Sequence, residues 1–219
     1  MDCTASMGPW IRQAKTKMVE LVDRVRKEHP NTIIRVGFVG YRDYDDTEPL
    51  IMIPFQNAQD TMLQIRPIQP EGGDDTAEDV AHGLFRALEM DWNGADVKIV
   101  FHIADAPAHG VAFHAPRVSD RYPRGDPNGL DPRDSVEKMS FLDIHYTFVK
   151  IDESTDTMIE QFHNCYSHGG SFAVIDLRPQ AGSYVRMNAL EGDPVDFSDA
   201  LTRSITHSIT QHYTSSQVL

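Results

Sequence analysis

The alternation of apolar and polar positions divides the chain into elements. From Pro9 to about Glu28, the residues Trp10, Ala14, Met18, Leu21, Val22 and Val25 recur at helical spacing with charged residues between them. That spacing predicts an amphipathic helix, with proline at its first position. His29-Pro30-Asn31 ends it. Two short apolar runs follow, Thr32–Gly40 and Leu50–Phe55, and predict a pair of strands, the second placed at an edge by Pro54. Asn57–Ile65 reads as a short helix, and Thr76–Met90 as a longer one that buries Val80, Leu84, Ala87 and Leu88. Val97–Ile103 is almost continuously apolar, as a parallel strand covered on both faces should be, and is expected at the centre of the sheet.

Helix Asp134–Phe141, strand Ile144–Val149, helix Thr155–Cys165 and strand Ser171–Ile175 continue the alternation. Strands alternating with helices predict an α/β fold, a doubly wound, Rossmann-like and mostly parallel sheet, in one domain over residues 1–219. A last amphipathic segment, Phe197–His212, is expected to pack on that sheet. Two stretches lack periodicity, Ala104–Arg133 and Leu177–Asp196, and loops of that length inside a domain usually carry function or move.

Composition narrows the chemistry. A net charge of −13 argues against tracking nucleic-acid phosphates and favours cations. Cys3 and Cys165 form no disulfide framework, and no apolar run is long enough for a membrane span, so a cytoplasmic location is expected.

In open α/β sheets the loops at the carboxyl ends of the strands converge on the ligand. Three acidic loops of this chain belong there: Asp2-Cys-Thr-Ala-Ser6, Gly72-Gly-Asp-Asp-Thr-Ala-Glu78 and Ala104-Asp105-Ala-Pro107. Their carboxylates and hydroxyls are hard oxygen donors of the kind Mg²⁺ takes. Helix capping accounts for the same residues without a metal: Ser6 can cap the helix at Pro9, and the acids near Val80 suit a first helical turn.

Asp2-x-Thr4-x-Ser6-Met-Gly resembles the D-x-[ST]-x-S motif of von Willebrand factor A domains, and the order of helices and strands resembles that family too. More narrowly, G-F-V-G-Y-R-D-Y (37 to 44), G-G-D-D-T-A-E-D-V (72 to 80), F-H-I-A-D-A-P-A-H-G (101 to 110) and Y-P-R-G-D-P-N-G-L (122 to 130) are similar to A domains associated with atypical α-kinases. The resemblance implies a metal-ion-dependent adhesion site, with Asp2, Thr4 and Ser6 from the first loop and Asp105 from the third. From the second loop it leaves Asp75, Glu78 and Thr76 open, in that order. The implied cofactor is Mg²⁺, with Mn²⁺ or Ca²⁺ as substitutes, and the implied partner is a protein that supplies an acidic side chain. No nucleic acid, membrane or catalytic activity is expected. In the family an apolar central strand precedes D-x-T-x-S, whereas only Met1 stands there here, so the sheet is expected to lack that strand and the domain to be incomplete at its N-terminus.

Other readings compete. A scaffold with a degenerate metal site is one. A phosphatase or phosphotransferase using Asp2 as nucleophile is another, but Thr4 occupies the position where such enzymes carry a second acid. Zinc could draw on His102, His109 and His114, although no pair has compact ligand spacing. Arg124-Gly-Asp126 reads as a turn; Tyr41–Asp46 could give the site a second shell, but reads first as a solvated acidic turn.

Overall fold

The computed structural model describes residues 1–177 and 201–210, except for the side chains of residues 16, 17 and 19. Helix α1 is Gly8–Glu28, preceded by a 3₁₀ turn at Ala5–Met7. Strands β1 (Val36–Tyr41) and β2 (Leu50–Gln56) pair antiparallel, and helix α2 (Ala58–Ile65) follows, capped by the Asn57 side chain. The β1–β2 register shifts by one residue opposite Pro54, which cannot donate to a ladder and sits on the strand that has no second partner among the described residues. Helix α3 (Val80–Leu88) leads to strand β3 (Lys98–Ala104). Helix α4 (Pro132–Phe141), strand β4 (Ile144–Lys150), helix α5 (Asp156–Cys165) and strand β5 (Phe172–Asp176) complete the βα alternation.

Strands β3, β4 and β5 form a parallel sheet in that order. The expected α/β architecture with a largely parallel sheet is therefore present, and β3 is bonded to β4 on one side and, at Ile103, to Asp2 on the other. The strand paired on both sides and buried at every residue is β4. Its period-two alternation feeds two cores. Ile144, Tyr146 and Phe148 join Val80, Leu84, Val136, Met139 and Phe162 on the face covered by α3, α4 and α5. Val149 joins Ile11, Leu21, Phe38, Ile65 and Leu201 on the face covered by α1 and α2. Residues 201–210 are helical and tie to this second face through Ser204, whose hydroxyl lies 3.0 Å from that of Thr147. The rest of the predicted Phe197–His212 segment, and the predicted loop from residue 178 to Asp196, lie outside the described residues.

Met1–Cys3 runs between the two sheets. Cys3 N–H donates to Tyr41 O at 2.8 Å and Tyr41 N–H to Met1 O at 3.1 Å, while Asp2 N–H donates to Ile103 O at 3.0 Å. Three residues thus occupy the position between β1 and β3 that a full central strand would span. On the opposite face α3 approaches β1 closely at Gly83, where a Cβ would lie 2.4 Å from Tyr41 Cδ1. Glycine is what lets this helix press the Tyr41 ring inward.

Candidate metal centre

The hydrogen bonds of Met1–Cys3 to β1 and β3 place the first acidic loop on the carboxyl edge of the sheet. Asp2 is fully buried, and its Oδ1 accepts from Thr4 N–H at 2.9 Å and from the Thr4 hydroxyl at 2.7 Å. The Thr4 and Ser6 hydroxyls lie 3.3 Å apart. Neither Ser6 nor Asp2 caps α1, whose N-cap is Met7 with no side-chain bond, so capping does not account for this loop. Asp105 follows directly on β3, and its backbone carbonyl accepts from the Ser154 hydroxyl at 2.9 Å.

The second loop departs from expectation. Helix α3 begins at Val80, not Thr76, because Asp79 is the N-cap and its side chain accepts from His82 N–H. Asp75, Thr76 and Glu78 precede it in extended and bent backbone, so they share no helical face. Glu78 pairs as a bridge with Ala108, and its N–H donates to Pro107 O at 2.9 Å. Its side chain turns toward the first loop: a Cβ on Gly73 would lie 3.1 Å from Glu78 Oε1 and 3.3 Å from Thr4 Cβ. Asp75 turns the other way and accepts from Arg121 N–H at 2.6 Å. Thr76 is exposed.

The electrostatics follow from burial. Removal from water and the neighbouring Asp105 push the Asp2 carboxyl up to about 7. Burial, then Asp2, push Glu78 up to about 10. Burial raises Asp105 and Asp75 as well. The oxygens Asp2 Oδ2, Asp43 Oδ2, Asp75 Oδ1, Glu78 Oε2 and Asp105 Oδ1 are all buried without a hydrogen-bond partner among the described residues. A buried polar atom without a partner is costly, and several acids held together with raised pKa values are the mark of a place suited to a cation. The oxygens of Asp2, Glu78 and Asp105, with the Thr4 and Ser6 hydroxyls, are all hard oxygens, the donor type a divalent ion such as Mg²⁺ takes.

A second network lies beside it and includes residues of the Tyr41–Asp46 stretch. Only the tip of the Tyr41–Asp46 stretch is solvated, at Asp45; Arg42 and Asp43 are 3% and 2% exposed and face the site. Arg42 donates to Cys3 O, Glu48 O and Gln69 O and so braces the first loop from beneath. Asp43 Oδ1 and Asp120 Oδ1 each lie 2.8 Å from a ring nitrogen of His109, and His114 reaches Asp120 Oδ2 at 2.9 Å. Burial opposes charging His109, but the hydrogen bonds from its ring to Asp43 and Asp120 outweigh it and raise its pKa. The same contacts hold Asp43 and Asp120 below the ordinary carboxylate value despite burial. Two groups of donor atoms that each include a histidine come within 4.8 Å of one another, Asp75 with His109 and Asp120, and Asp79 with His82 and Asp126. His102, the other histidine of the zinc reading, instead bridges the Tyr41 and Tyr146 hydroxyls at 2.7 and 2.6 Å within the core. Asp126 of Arg124-Gly-Asp126 is tucked inward, with its side chain 1% exposed and a hydrogen bond from Tyr44.

A doubly wound sheet with an Asp-x-Thr-x-Ser loop and an Asp105 loop at its carboxyl edge defines the class: the chain has the fold of a von Willebrand factor A (VWA) domain. Two solved structures share it at low sequence identity. The SpRpn10 VWA domain is 12% identical, matches 89% of each chain and superposes with a TM-score of 0.55. The vWF domain of the type V pili tip protein Mfa5 from Porphyromonas gingivalis is 11% identical, matches 94% of this chain and 92% of that one, and gives 0.57. More particularly, the sequence is 36% identical over 166 residues to alpha-protein kinase vwkA of Dictyostelium discoideum, which is the α-kinase-associated likeness read from the motifs. The match takes in 74% of this chain and 26% of that kinase, so the chain corresponds to about a quarter of its relative. No protein-family model matches the chain. Among the described residues no helix is long and apolar enough to cross a membrane.

Proposed function

We propose that this domain is a metal-dependent protein-binding module of the cytoplasm, not an enzyme, and that it recognises an acidic side chain of its partner. The observation that carries the reading is the set of buried carboxylate oxygens without partners on three converging loops. In this reading Asp2, Thr4, Ser6 and Asp105 hold a Mg²⁺ ion, with Glu78 from the second loop and Asp75 at its margin. When bound, the ion supplies positive charge to an Asp or Glu of the partner. Asp2 is fixed by its bonds to Thr4 and Ile103, Thr4 and Ser6 offer hydroxyls, and Arg42 keeps the loop in place from the Cys3 carbonyl. Ser6 is exposed, which leaves the solvent side open to a ligand.

Thermal melts with Mg²⁺ and with EDTA test the ion, because a ligand that binds only the native state raises its stability. The reading expects a rise with Mg²⁺ that saturates and reverses on chelation. Retention of an acidic peptide, but not its Asn/Gln counterpart, on the Mg²⁺-loaded domain tests the partner chemistry. Hydrolysis of a phosphate ester that is lost in Asp2→Asn would instead establish the phosphotransferase reading.

A further inference from the structure

Three side chains outside the metal centre converge on one imidazole nitrogen. Asp79 caps α3 and keeps Oδ1 on the His82 N–H at 3.0 Å. His82 Nδ1 stands 2.9 Å from Asp79 Oδ2 and 3.1 Å from Oδ1, and Asp126 Oδ2 approaches the same nitrogen at 3.4 Å. Asp126 in turn ties its Oδ1 to a backbone N–H, that of Asn128. Each carboxylate is thus oriented by the main chain and turns its second oxygen to Nδ1. The donor atoms of the three residues all lie within 4.8 Å of one another.

Positive charge is short at this point. The Asp79 and Asp126 side chains are 2% and 1% exposed, and a carboxylate buried without a counter-charge is costly. Tyr44 donates its hydroxyl to Asp126 Oδ2 at 2.8 Å but brings no charge. Among the described residues His82 is the only basic side chain in ion-pair range of either acid. Its Nδ1 carries one proton for two oxygens, and the ring at most one charge against two. A divalent ion in place of that proton balances both acids.

The geometry points to a zinc site in which His82 Nδ1 and one oxygen each of Asp79 and Asp126 are the ligands. Donors about 2.0–2.2 Å from a tetrahedral zinc stand about 3.3–3.6 Å from one another. The separations of 2.9 and 3.4 Å from Nδ1 come close to that, so the three residues need only small movements to take the ion. A fourth position is open to water on the side of His82, which is 21% exposed. An imidazole with two carboxylates suits zinc, whereas Mg²⁺ takes oxygens alone. Tyr44 is a positioning residue, because its hydroxyl fixes Asp126 without meeting the ion. The site shares no donor with the metal centre: Glu78 turns to Thr4 and Gly73, and Asp79 to His82. It stands whether or not an ion binds at that centre. Asp126 belongs to the segment between β3 and α4, which has no helix or strand of its own, so zinc there clips this long segment to the start of α3.

The test uses the whole 219-residue chain, stripped with EDTA, exchanged into excess Mg²⁺ and titrated with Zn²⁺ by calorimetry. One equivalent of Zn²⁺ should bind with Mg²⁺ present, and the ¹⁵N resonance of His82 Nδ1 should shift while those of His109 and His114 stay in place. His82→Gln and Asp126→Asn should each weaken binding by about a hundredfold or more, and Tyr44→Phe by about tenfold, the size of effect that loss of a group orienting a ligand has. Asp2→Ala should leave zinc affinity unchanged. The ¹⁵N measurement needs no substitution, so it decides the matter even where a variant fails to fold. No zinc uptake in Mg²⁺, a shift at His109 or His114 in place of His82, or unchanged affinity in His82→Gln or Asp126→Asn would each overturn the proposal.

Discussion

Asp120 and Asp43 share one histidine, His109, and a second histidine closes the far side of Asp120; Asp2, Glu78 and Asp105 stand on the same edge of the sheet, each with a buried oxygen that has no hydrogen-bond partner among the described residues, and the Met1 ammonium near Asp2 does not offset burial and the charge of Asp105. The residue types are the same and the burial is similar, yet the acids titrate in opposite directions. Histidine contacts hold Asp43 and Asp120 down, while burial and mutual repulsion hold Asp2 and Glu78 up. In the first network His109 supplies part of the counter-charge from within the fold, although Asp43 Oδ2 still lacks a hydrogen-bond partner among the described residues. The second carries unpaired oxygens, and an added cation would supply what the histidines supply next door. Acidity along the chain therefore does not distinguish the two networks; the histidine contacts do.

Removing one member from each network should break the comparison most sharply. Asp2→Ala and Asp105→Ala should each abolish the Mg²⁺-dependent rise in melting temperature and the binding of an acidic partner, with the transition still cooperative, because each deletes an anion directly facing the ion. Calorimetric titration with Mg²⁺ checks this, and an unchanged isotherm in both variants would remove the metal reading.

His109→Gln should do the reverse, lowering stability by about 3–5 kcal/mol through the loss of a buried cation between two carboxylates while the Mg²⁺ response persists. Denaturant unfolding with and without Mg²⁺ separates the two effects.

The acids of the unpaired network also give a pH dependence of definite sign. Asp2 and Glu78 have native pKa values above their unfolded ones, so the proton-bound form favours folding. That contribution is complete below about 4 and fades as pH rises through about 7 for Asp2 and about 10 for Glu78. In EDTA the melting temperature attributable to these groups should fall from pH 5 to pH 9, and Asp2→Asn should flatten the fall near neutrality. Mg²⁺ should oppose the fall, since its binding is favoured by deprotonated ligands and strengthens with pH.

The smallest contrast lies within the second loop. Asp79→Ala should cost about 1 kcal/mol by removing the cap of α3. Thr76→Ala, on an exposed and non-helical residue, should change stability by less than about 0.5 kcal/mol and leave the metal titration unmoved. Loss of metal binding in Thr76→Ala alone would transfer the second-loop ligand to that residue.

Most of the elements were legible because their patterns are local. The 3.6-residue spacing from Trp10 to Val25 and the β-branched run Ile144–Val149 specify a helix and a buried strand whatever surrounds them, and the order of strands and helices then restricts the sheet to a few topologies. The acidic loops were legible too, since their residue types and the D-x-T-x-S spacing stand in the sequence itself. Tertiary structure decided the rest. An apolar run cannot report which neighbours it pairs with, so nothing in Val97–Ile103 foretold that β3 meets β4 along its length and Asp2 only at Ile103. The start of α3 depended on which acid caught the free N–H of His82, a competition between Asp75, Glu78 and Asp79 that spacing does not resolve. His109 lies 66 residues from Asp43 and 11 from Asp120, and only folding brings the three within hydrogen-bond range and separates the acids that have a counter-charge from those that lack one. Pairing and charge compensation act through space between distant residues, whereas periodicity and composition act along the chain.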